Sequence, residues 1–479
     1  EGYGKISSSL INDGTIQPTG DGTIVVGGAM TNPASGIIAI GAGDKLLVSS
    51  GLASNAGLIT LTGGTFDNGN LPLTNAAGGQ ITGYGVIRTG GTGLTNNGTM
   101  YLTGGTTTVN GNVTNNTTID LNFQPSTFTG NVFNYGTIKA TGMTATFSGS
   151  LTNEAGSHYT SDPSQNIFES AVTNAGTMTG GSGDQYLVSG GTFNNTGTYN
   201  NAGYLQSSDP TTNSGTFTQT GPQDWAAGTT FTNTAGIATF GSDTGSVTTA
   251  PLNFDVTGGS VSFQATQHIA SLIMTPGSGY TDVTGSTVYV EYGSAADPVA
   301  SIDSYLTSGY AGGKWTGTGI DSSIVANLDA TQSKLIYAVG YGDGADGIVS
   351  GLSSGQIEIL PTLAGDAKLA GNVVFGDFQI LAQYFGKTAG WDEGNFTYQP
   401  TVDFGDFQQL AQDFGANSSA ITASEFASLN SFAGEFGEAL VPNPGGVGFS
   451  VAAIPEPASI GVIAFAGFGL LSRRRRNRR

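Results

Sequence analysis

The stretch "LTNNGTM" (94–100) is followed by "VTNNTTI" (113–119) and then by "VFNYGTI" (132–138). All three fit apolar-x-Asn-x-Gly-x-apolar, with Thr117 standing where the second would have its glycine. The pattern extends both ways: "LINDGTI" (10–16), "MTNPASGII" (30–38), "ASNAGLI" (53–59) and "LTNAAGGQI" (73–81) precede it, and "LTNEAGSHY" (151–159), "VTNAGTM" (172–178), "FNNTGTY" (193–199), "TTNSGTF" (211–217) and "FTNTAGIA" (231–238) follow. The aligned glycines, at 14, 36, 57, 78, 98, 136, 156, 176, 197, 215 and 236, return roughly every 20 residues, as in solenoid repeats.

A helix cannot carry this pattern. Glycine recurs every few residues and no 3.6-residue apolar stripe is sustained. Short runs such as 57–61, 99–102 and 261–263 read as strands, so each repeat is one coil of a parallel β-helix. The Asn-x-Gly pair reads as the corner of the coil. Both residues enter the left-handed region at little cost, and asparagines at equivalent corners can stack into an amide ladder. The spacing predicts a right-handed stack of about twelve coils over 10–240, on the order of 55 Å long at ~4.8 Å per coil. This segment, 1–240, resembles the passenger regions of bacterial autotransporters and β-helical adhesins.

The chain is 479 residues long, with 78 glycines, no cysteine and a formal charge of −20. Without cysteine there are no disulfides, thiolate metal sites or cysteine nucleophiles. Of the 14 Lys and Arg residues, six lie in the last seven positions. The remaining body has no electrostatic footprint for nucleic acid. A polysaccharide hydrolase or lyase built on the rod would need clustered carboxylates, a base and a neutralising charge. From 1 to 240 the only cations are Lys5, Lys45, Arg88 and Lys139, and the two histidines of the chain are His158 and His268. Asp21, Asp44 and Asp184 lie among glycines and read as turns. No catalytic residue is expected. The chain opens at Glu1 with no basic or apolar leader, which fits a processed end or a fragment.

From 241 to 360 the spacing fades into a β-rich cap and connector, with strand-like runs at 251–256, 260–265, 286–293, 334–344 and 355–360. "HIASLIM" (268–274) reads as either the last coil or a capping strand. Residues 301–307 read as a short helix, and the Gly-rich run after it as a loop packed on Trp315. "SIDSYLTSGYAGGKWTGTGIDSSI" (301–324) with "YAVGYGDGADG" (337–347) resembles a segment that recurs before dockerin-like repeats in planctomycete surface proteins.

"GDAKLAGNVVFGDFQILAQYFG" (365–386) and "GNFTYQPTVDFGDFQQLAQDFG" (394–415) match at a fixed offset. In each, Phe, Leu, Ala and Phe at i, i+3, i+4 and i+7 make one apolar helix face, opened by aspartate and closed by Gly386 or Gly415. Residues 361–440, with a further helix within 420–440, resemble a type I dockerin, whose loops are EF-hand-like calcium sites. That resemblance puts Asp366, Gly371 and Asp377 at loop positions 1, 6 and 12. Lys368, Ala370 and Val374 stand at ligand positions 3, 5 and 9. In the second loop Asn395, Thr397, Gln399, Asp403 and Asp406 fill 1, 3, 5, 9 and 12, with Pro400 replacing the glycine. Calcium at these loops would be weak at best, and packing of Phe378, Leu381, Phe407 and Leu410 is expected to hold the module without a cofactor. A cohesin-like partner is what a dockerin would imply, but the helices show Gln, Gly and Ala rather than a distinctive polar pair. Residues 441–453 read as a Pro/Gly linker.

The chain ends "IPEPASIGVIAFAGFGLLSRRRRNRR" (454–479). The apolar run 458–472 would make a helix of ~22 Å, marginal against a ~30 Å hydrocarbon core. Arg473, Arg474, Arg475 and Arg476 lead a basic stop that stays on the cytoplasmic side. Pro455-Glu456-Pro457, the short hydrophobic transmembrane helix and the arginines together resemble the PEP-CTERM sorting signal. The resemblance implies export, a transient inner-membrane anchor, processing near the triplet by an exosortase-type membrane protease, and delivery to the cell surface or outside the cell. The whole reads as a mainly β protein. A parallel β-helix rod is followed by a β-rich connector, a small dockerin-like helical module and a C-terminal hydrophobic helix. Its expected role is a structural or adhesive surface protein with exopolysaccharide or matrix as partner. The alternative is a polysaccharide-active β-helix enzyme, or a glycan-binding protein, carried on a dockerin.

Overall fold

Most repeats fold as one coil of three short strands, the second and third merging in Leu58–Asp67 and Gln80–Arg88, in the computed structural model, which describes residues 1–454 except 247, 248, 250, 333, 419, 420 and 445. In the coil that opens at Leu94 the strands are Leu94–Asn96, Thr99–Thr103 and Thr107–Asn110. Strand alternation sends Leu94, Asn96, Met100, Leu102 and Val109 inward and leaves Thr95, Tyr101 and Thr108 on the outside. The first strands pair in parallel into a 14-stranded sheet running from Leu10–Ile11 to Ser271–Met274. The second and third strands build a second, 25-stranded sheet. Like residues stack on like: Leu73 on Leu94, Thr74 on Thr95, Asn75 on Asn96.

The motif asparagines are interior residues, not exposed corners. Asn55, Asn75, Asn96, Asn115, Asn134, Asn153, Asn174, Asn195, Asn213 and Asn233 are fully buried. From Asn12 to Asn233, the side-chain Nδ2 of each donates to Oδ1 of the next at 2.7–2.9 Å, eleven bonds in sequence. From Asn32 on each sits in a strand, and none takes the left-handed region. The expected amide ladder therefore exists, but inside the core.

The glycines also have a different reason from the one expected. Gly57, Gly98, Gly136, Gly197 and Gly215 all have ordinary negative φ. What excludes a side chain is the coil beneath: a Cβ at Gly136 would strike the Thr117 carbonyl oxygen, and one at Gly197 the Gly176 carbonyl oxygen. In register the row passes through Gly79 and Ser157, not the neighbouring Gly78 and Gly156, which take φ of 83° and 81° and point into open space.

The coils continue beyond residue 240. Asn253–Val256 and Ser271–Met274 extend the first sheet, so the second of the two readings of "HIASLIM", a capping strand, gives way to a fourteenth coil. The sequence pattern stops early because the ladder does: Val256 and then Met274 occupy the asparagine position. Gly259 and Gly279 keep the glycine row going. Inside, aliphatic residues give way toward these later coils to aromatics, with Phe128 on Phe147 at 5.2 Å, Phe147 on Phe168 at 5.4 Å and Tyr199 on Phe217 at 4.7 Å. Such contacts add about 0.5–1.5 kcal/mol each beyond area burial.

The chain divides into two compact units: Glu1–Gly309 with Thr316–Ser323, and Tyr310–Trp315 with the chain from Ile324. There are five short helices among the described residues: α1 (Val299–Tyr310), α2 (Ser323–Asp329), α3 (Phe375–Tyr384), α4 (Phe404–Asp413) and α5 (Ala423–Glu435). Asp297 caps α1, accepting from Val299 N at 2.9 Å, so that helix is longer than the expected 301–307. In the second unit an antiparallel hairpin, Tyr337–Asp343 with Gln356–Leu363, precedes α3, α4 and α5. Gly386 and Gly415, at φ 78° and 88°, follow α3 and α4. Phe432 of α5 packs against Phe378, Phe385 and Phe407 at 5.5, 5.2 and 4.9 Å. The Pro/Gly stretch 441–453 is not a free linker: Glu438–Pro442 pairs antiparallel with Phe449–Ala453. Among the described residues no helix is long and apolar enough to cross a membrane. The C-terminal hydrophobic helix expected at 458–472 lies outside them.

Replacing Asn134 by Ala should cost about 2–4 kcal/mol, because Asn115 Nδ2 and Asn153 Oδ1 each lose a buried partner. The exposed pair Asn116–Asn97, bonded at 2.7 Å, is the control: Asn116→Ala should stay within about 0.5 kcal/mol. Denaturant unfolding of the two variants separates a core ladder from a decorative one.

Candidate functional site

The two loop–helix repeats, read as weak calcium sites, match in their hydrogen bonds as well as their letters. Asp366 opens the first loop, fully buried. Its Oδ1 accepts from Ala370 N at 3.0 Å and its Oδ2 from Gly371 N at 2.8 Å and the Thr362 hydroxyl at 2.6 Å. Asn395 holds the matching place, its Oδ1 accepting from Gln399 N at 3.2 Å. Asp377 closes the first loop by accepting from Lys368 N at 3.2 Å and Val374 N at 2.8 Å. Asp406 does the same with Thr397 N and Asp403 N, both at 2.8 Å. In both repeats one carboxylate thus ties the third loop residue to the residue before the helix.

These residues do not converge on a cation. Lys368 takes a ligand position and lies along the start of α3, where its ammonium blocks any Cβ at Gly376. Ala370 and Val374 offer no side-chain oxygen. In the second loop the Asn395 amide is spent on the carbonyls of Ala389 and Gln399, at 3.0 and 2.7 Å. The Thr397 hydroxyl donates to Asp406 at 2.8 Å. Gln399 and Asp403 are exposed, and Asp403 caps α4 through Gly405 N at 2.7 Å. Among the described residues no group of three or more His, Asp or Glu side chains is placed to hold a metal ion. The donor set present does not fit calcium.

Burial dominates the electrostatics of the module. It holds the Asp377 carboxyl up at about 6 and raises Asp366 and Asp406 as well, against the backbone N–H groups that favour their charged forms. Asp413 is likewise pushed up to about 6 by burial, although the Lys334 ammonium stands 3.2 Å away.

Sequence reasoning missed several contacts in this unit. The Trp391 indole donates to the Asp366 carbonyl at 2.9 Å, and the Tyr398 hydroxyl to the Val339 carbonyl at 2.6 Å. Asp392 is buried and accepts from Asp343 N at 2.7 Å. Its carboxyl is raised by burial, with the Asp346 carboxylate beside it as the next cause. None of these has a linear signal beyond "GDGADG" (342–347).

In the first unit the solenoid register joins two further pairs. His268 Nδ1 lies 2.6 Å from Asp243 Oδ2, with its ring stacked on Tyr289 at 4.8 Å. Asp282 and Asp321 sit side by side on paired strands. Burial, then the Asp282 charge, pushes Asp321 up to about 8. Asp184, read as a turn residue, is buried and accepts from the Ser164 and Gly181 backbone N–H groups, both at 2.6 Å. Pro455, Glu456, Pro457 and Arg473, Arg474, Arg475 and Arg476 lie outside the described residues.

Two measurements test this account of the module. A carboxyl whose folded pKa is raised contributes stability in full below its unfolded pKa, and that contribution is lost as pH rises through the folded value. For Asp377 and Asp413 the window runs from 3.8 to about 6. In a Trp225→Phe background, Trp315 and Trp391 fluorescence reports this unit. Its unfolding free energy should fall as pH is raised across that window, with a shallower fall in Asp377→Asn. In the same background, neither excess calcium nor EDTA should move the unfolding midpoint, since a ligand bound only by the folded state would raise it.

No family model matches the chain, and comparison with curated proteins and with solved structures returned no match.

Proposed function

We propose that the protein is an exported structural or adhesive component of the cell surface or extracellular matrix, with exopolysaccharide or matrix as its partner. The observation that carries the reading is the fourteen-coil β-solenoid, which displays a wall of hydroxyls and amides. One outward row of the first sheet reads Thr74, Thr95, Thr114, Phe133, Thr152, Thr173, Asn194, Thr212 and Thr232. A long, regular, charge-poor surface suits extended contact with a hydrated polymer and supplies no concentrated reactive site. The helical module is then a metal-independent spacer. Pro455-Glu456-Pro457, the apolar run and the arginines act as an address: a membrane protease of the exosortase type reads the triplet while the tail is transiently held in the inner membrane.

Mass spectrometry of the surface-exposed protein from its native host should find a C-terminus that lacks Arg473–Arg479. A Glu456→Ala, Pro457→Ala double variant should accumulate in the membrane fraction. Intact arginines on surface-exposed protein, or normal delivery of the double variant, would defeat the reading.

A further inference from the structure

One line of corners on the solenoid departs from the uniform wall. Between the second and third strands, successive coils alternate a ring with a glycine. Tyr84 leans over Gly104 and Gly105, Phe123 over Gly142, and Pro163 over Gly183. A Cβ added at Gly142 would come within 2.8 Å of the Phe123 ring, and one at Gly183 within 2.8 Å of Pro163. The glycines therefore leave the space that the rings occupy. Phe123 is the most unusual member. It is 65% exposed and adopts φ 61°, a left-handed conformation that costs a bulky residue roughly 1–3 kcal/mol. Folding alone does not account for an exposed aromatic held in a strained backbone.

Beside Phe123 and Pro163 runs a groove of about 550 Å³ whose walls also include Met143, Thr144, Gln165 and Gln185. No charged side chain lines it. Gln165 and Gln185 sit in register on neighbouring coils, with Gln165 Nε2 donating to Gln185 Oε1 at 3.0 Å. Exposed rings beside a shallow, largely polar groove offer stacking faces and hydrogen-bonding amides and hydroxyls together. The rings recur every second coil, roughly 10 Å at ~4.8 Å per coil, which matches two pyranose units of an extended chain. The absence of charge, in a protein carrying −20 overall, favours a neutral polymer over an anionic one.

We propose that this row binds a neutral, β-linked polysaccharide lying along the coil axis, with Tyr84, Phe123 and Pro163 stacking on alternate sugars and Gln165 and Gln185 bonding their hydroxyls. The site rests on the matrix reading above for its class of partner and adds the residues and the polymer chemistry. The full chain is tested by affinity electrophoresis in hydroxyethylcellulose and by pull-down on insoluble cellulose and chitin, with alginate as the anionic comparison. Binding to at least one neutral polymer is expected, and Phe123→Ala or Tyr84→Ala should weaken it about tenfold. Phe123→Gly should weaken binding equally while leaving the melting temperature unchanged or higher, because the strain at φ 61° is relieved; a merely structural Phe123 would show the opposite. Failure to bind any neutral polymer, preference for alginate, or binding untouched by the variants would overturn the site. Those outcomes leave the sorting experiment on the C-terminus to judge surface delivery independently.

Discussion

The side-chain amide of asparagine has a donor at one corner and an acceptor at the other, and the solenoid depends on stacking that asymmetry. Each buried asparagine satisfies the one behind it and is satisfied by the one ahead. A polar row can then run through twelve coils of an otherwise apolar core without leaving a group orphaned. In a low-dielectric interior such a chain is strong when complete and costly when broken. Its end is therefore informative. Asn233 Nδ2 donates to the Gly258 carbonyl at 2.7 Å, so the ladder closes on backbone, and the next coils can place Val256 and Met274 in the same row.

That closure explains what was legible in the sequence. The period, the parallel in-register stack and the amide ladder follow from the motif because the interaction repeats with it. Two things did not follow. The count fell two coils short, because the visible marker was the polar ladder, whereas the coil requires only an inward residue and a close approach at the glycine. The glycines were expected to bend the chain through positive φ, but most are there because the carbonyl of the previous coil lies where Cβ would be. Three do take the left-handed region: Gly78 and Gly156, which are one residue out of register, and Gly236, which is in register at φ 67°.

The helical module shows a different kind of legibility. Its i, i+3, i+4, i+7 apolar face, its closing glycines and the internal duplication all read directly. The first loop's lack of side-chain oxygens at Lys368, Ala370 and Val374 also stands in the letters themselves. What sequence could not show is how the remaining carboxylates are occupied. Asp377 and Asp406 turn inward to backbone N–H groups, and Thr362, from the preceding strand, completes Asp366. The Asp243–His268 and Asp282–Asp321 pairs were invisible for a similar reason. Only the register between coils or strands joins them, and neither carries a motif.

The same register bears on the solenoid's surface chemistry. Parallel stacking puts each outward residue directly over its equivalent at ~4.8 Å, so a charge repeated in one row would face its like, and like charges in opposition are destabilising. Threonine fits the constraint: it is β-branched, suits a half-exposed strand and carries no charge. Two of the few cations find an opposite neighbour. Lys139 stacks on Asp120, and Lys45 reaches Asp67 at 2.6 Å. The neutral Thr/Asn wall is thus what the repeat itself demands, and it would arise whatever the protein binds. Specificity has to come from positions that break the row without serving the stack. By that criterion Phe123 stands apart from the threonines around it: it is bulky where its register mates are small or cyclic, exposed where aromatics elsewhere in the solenoid are mostly buried, and strained where the coil offers glycine in the next register.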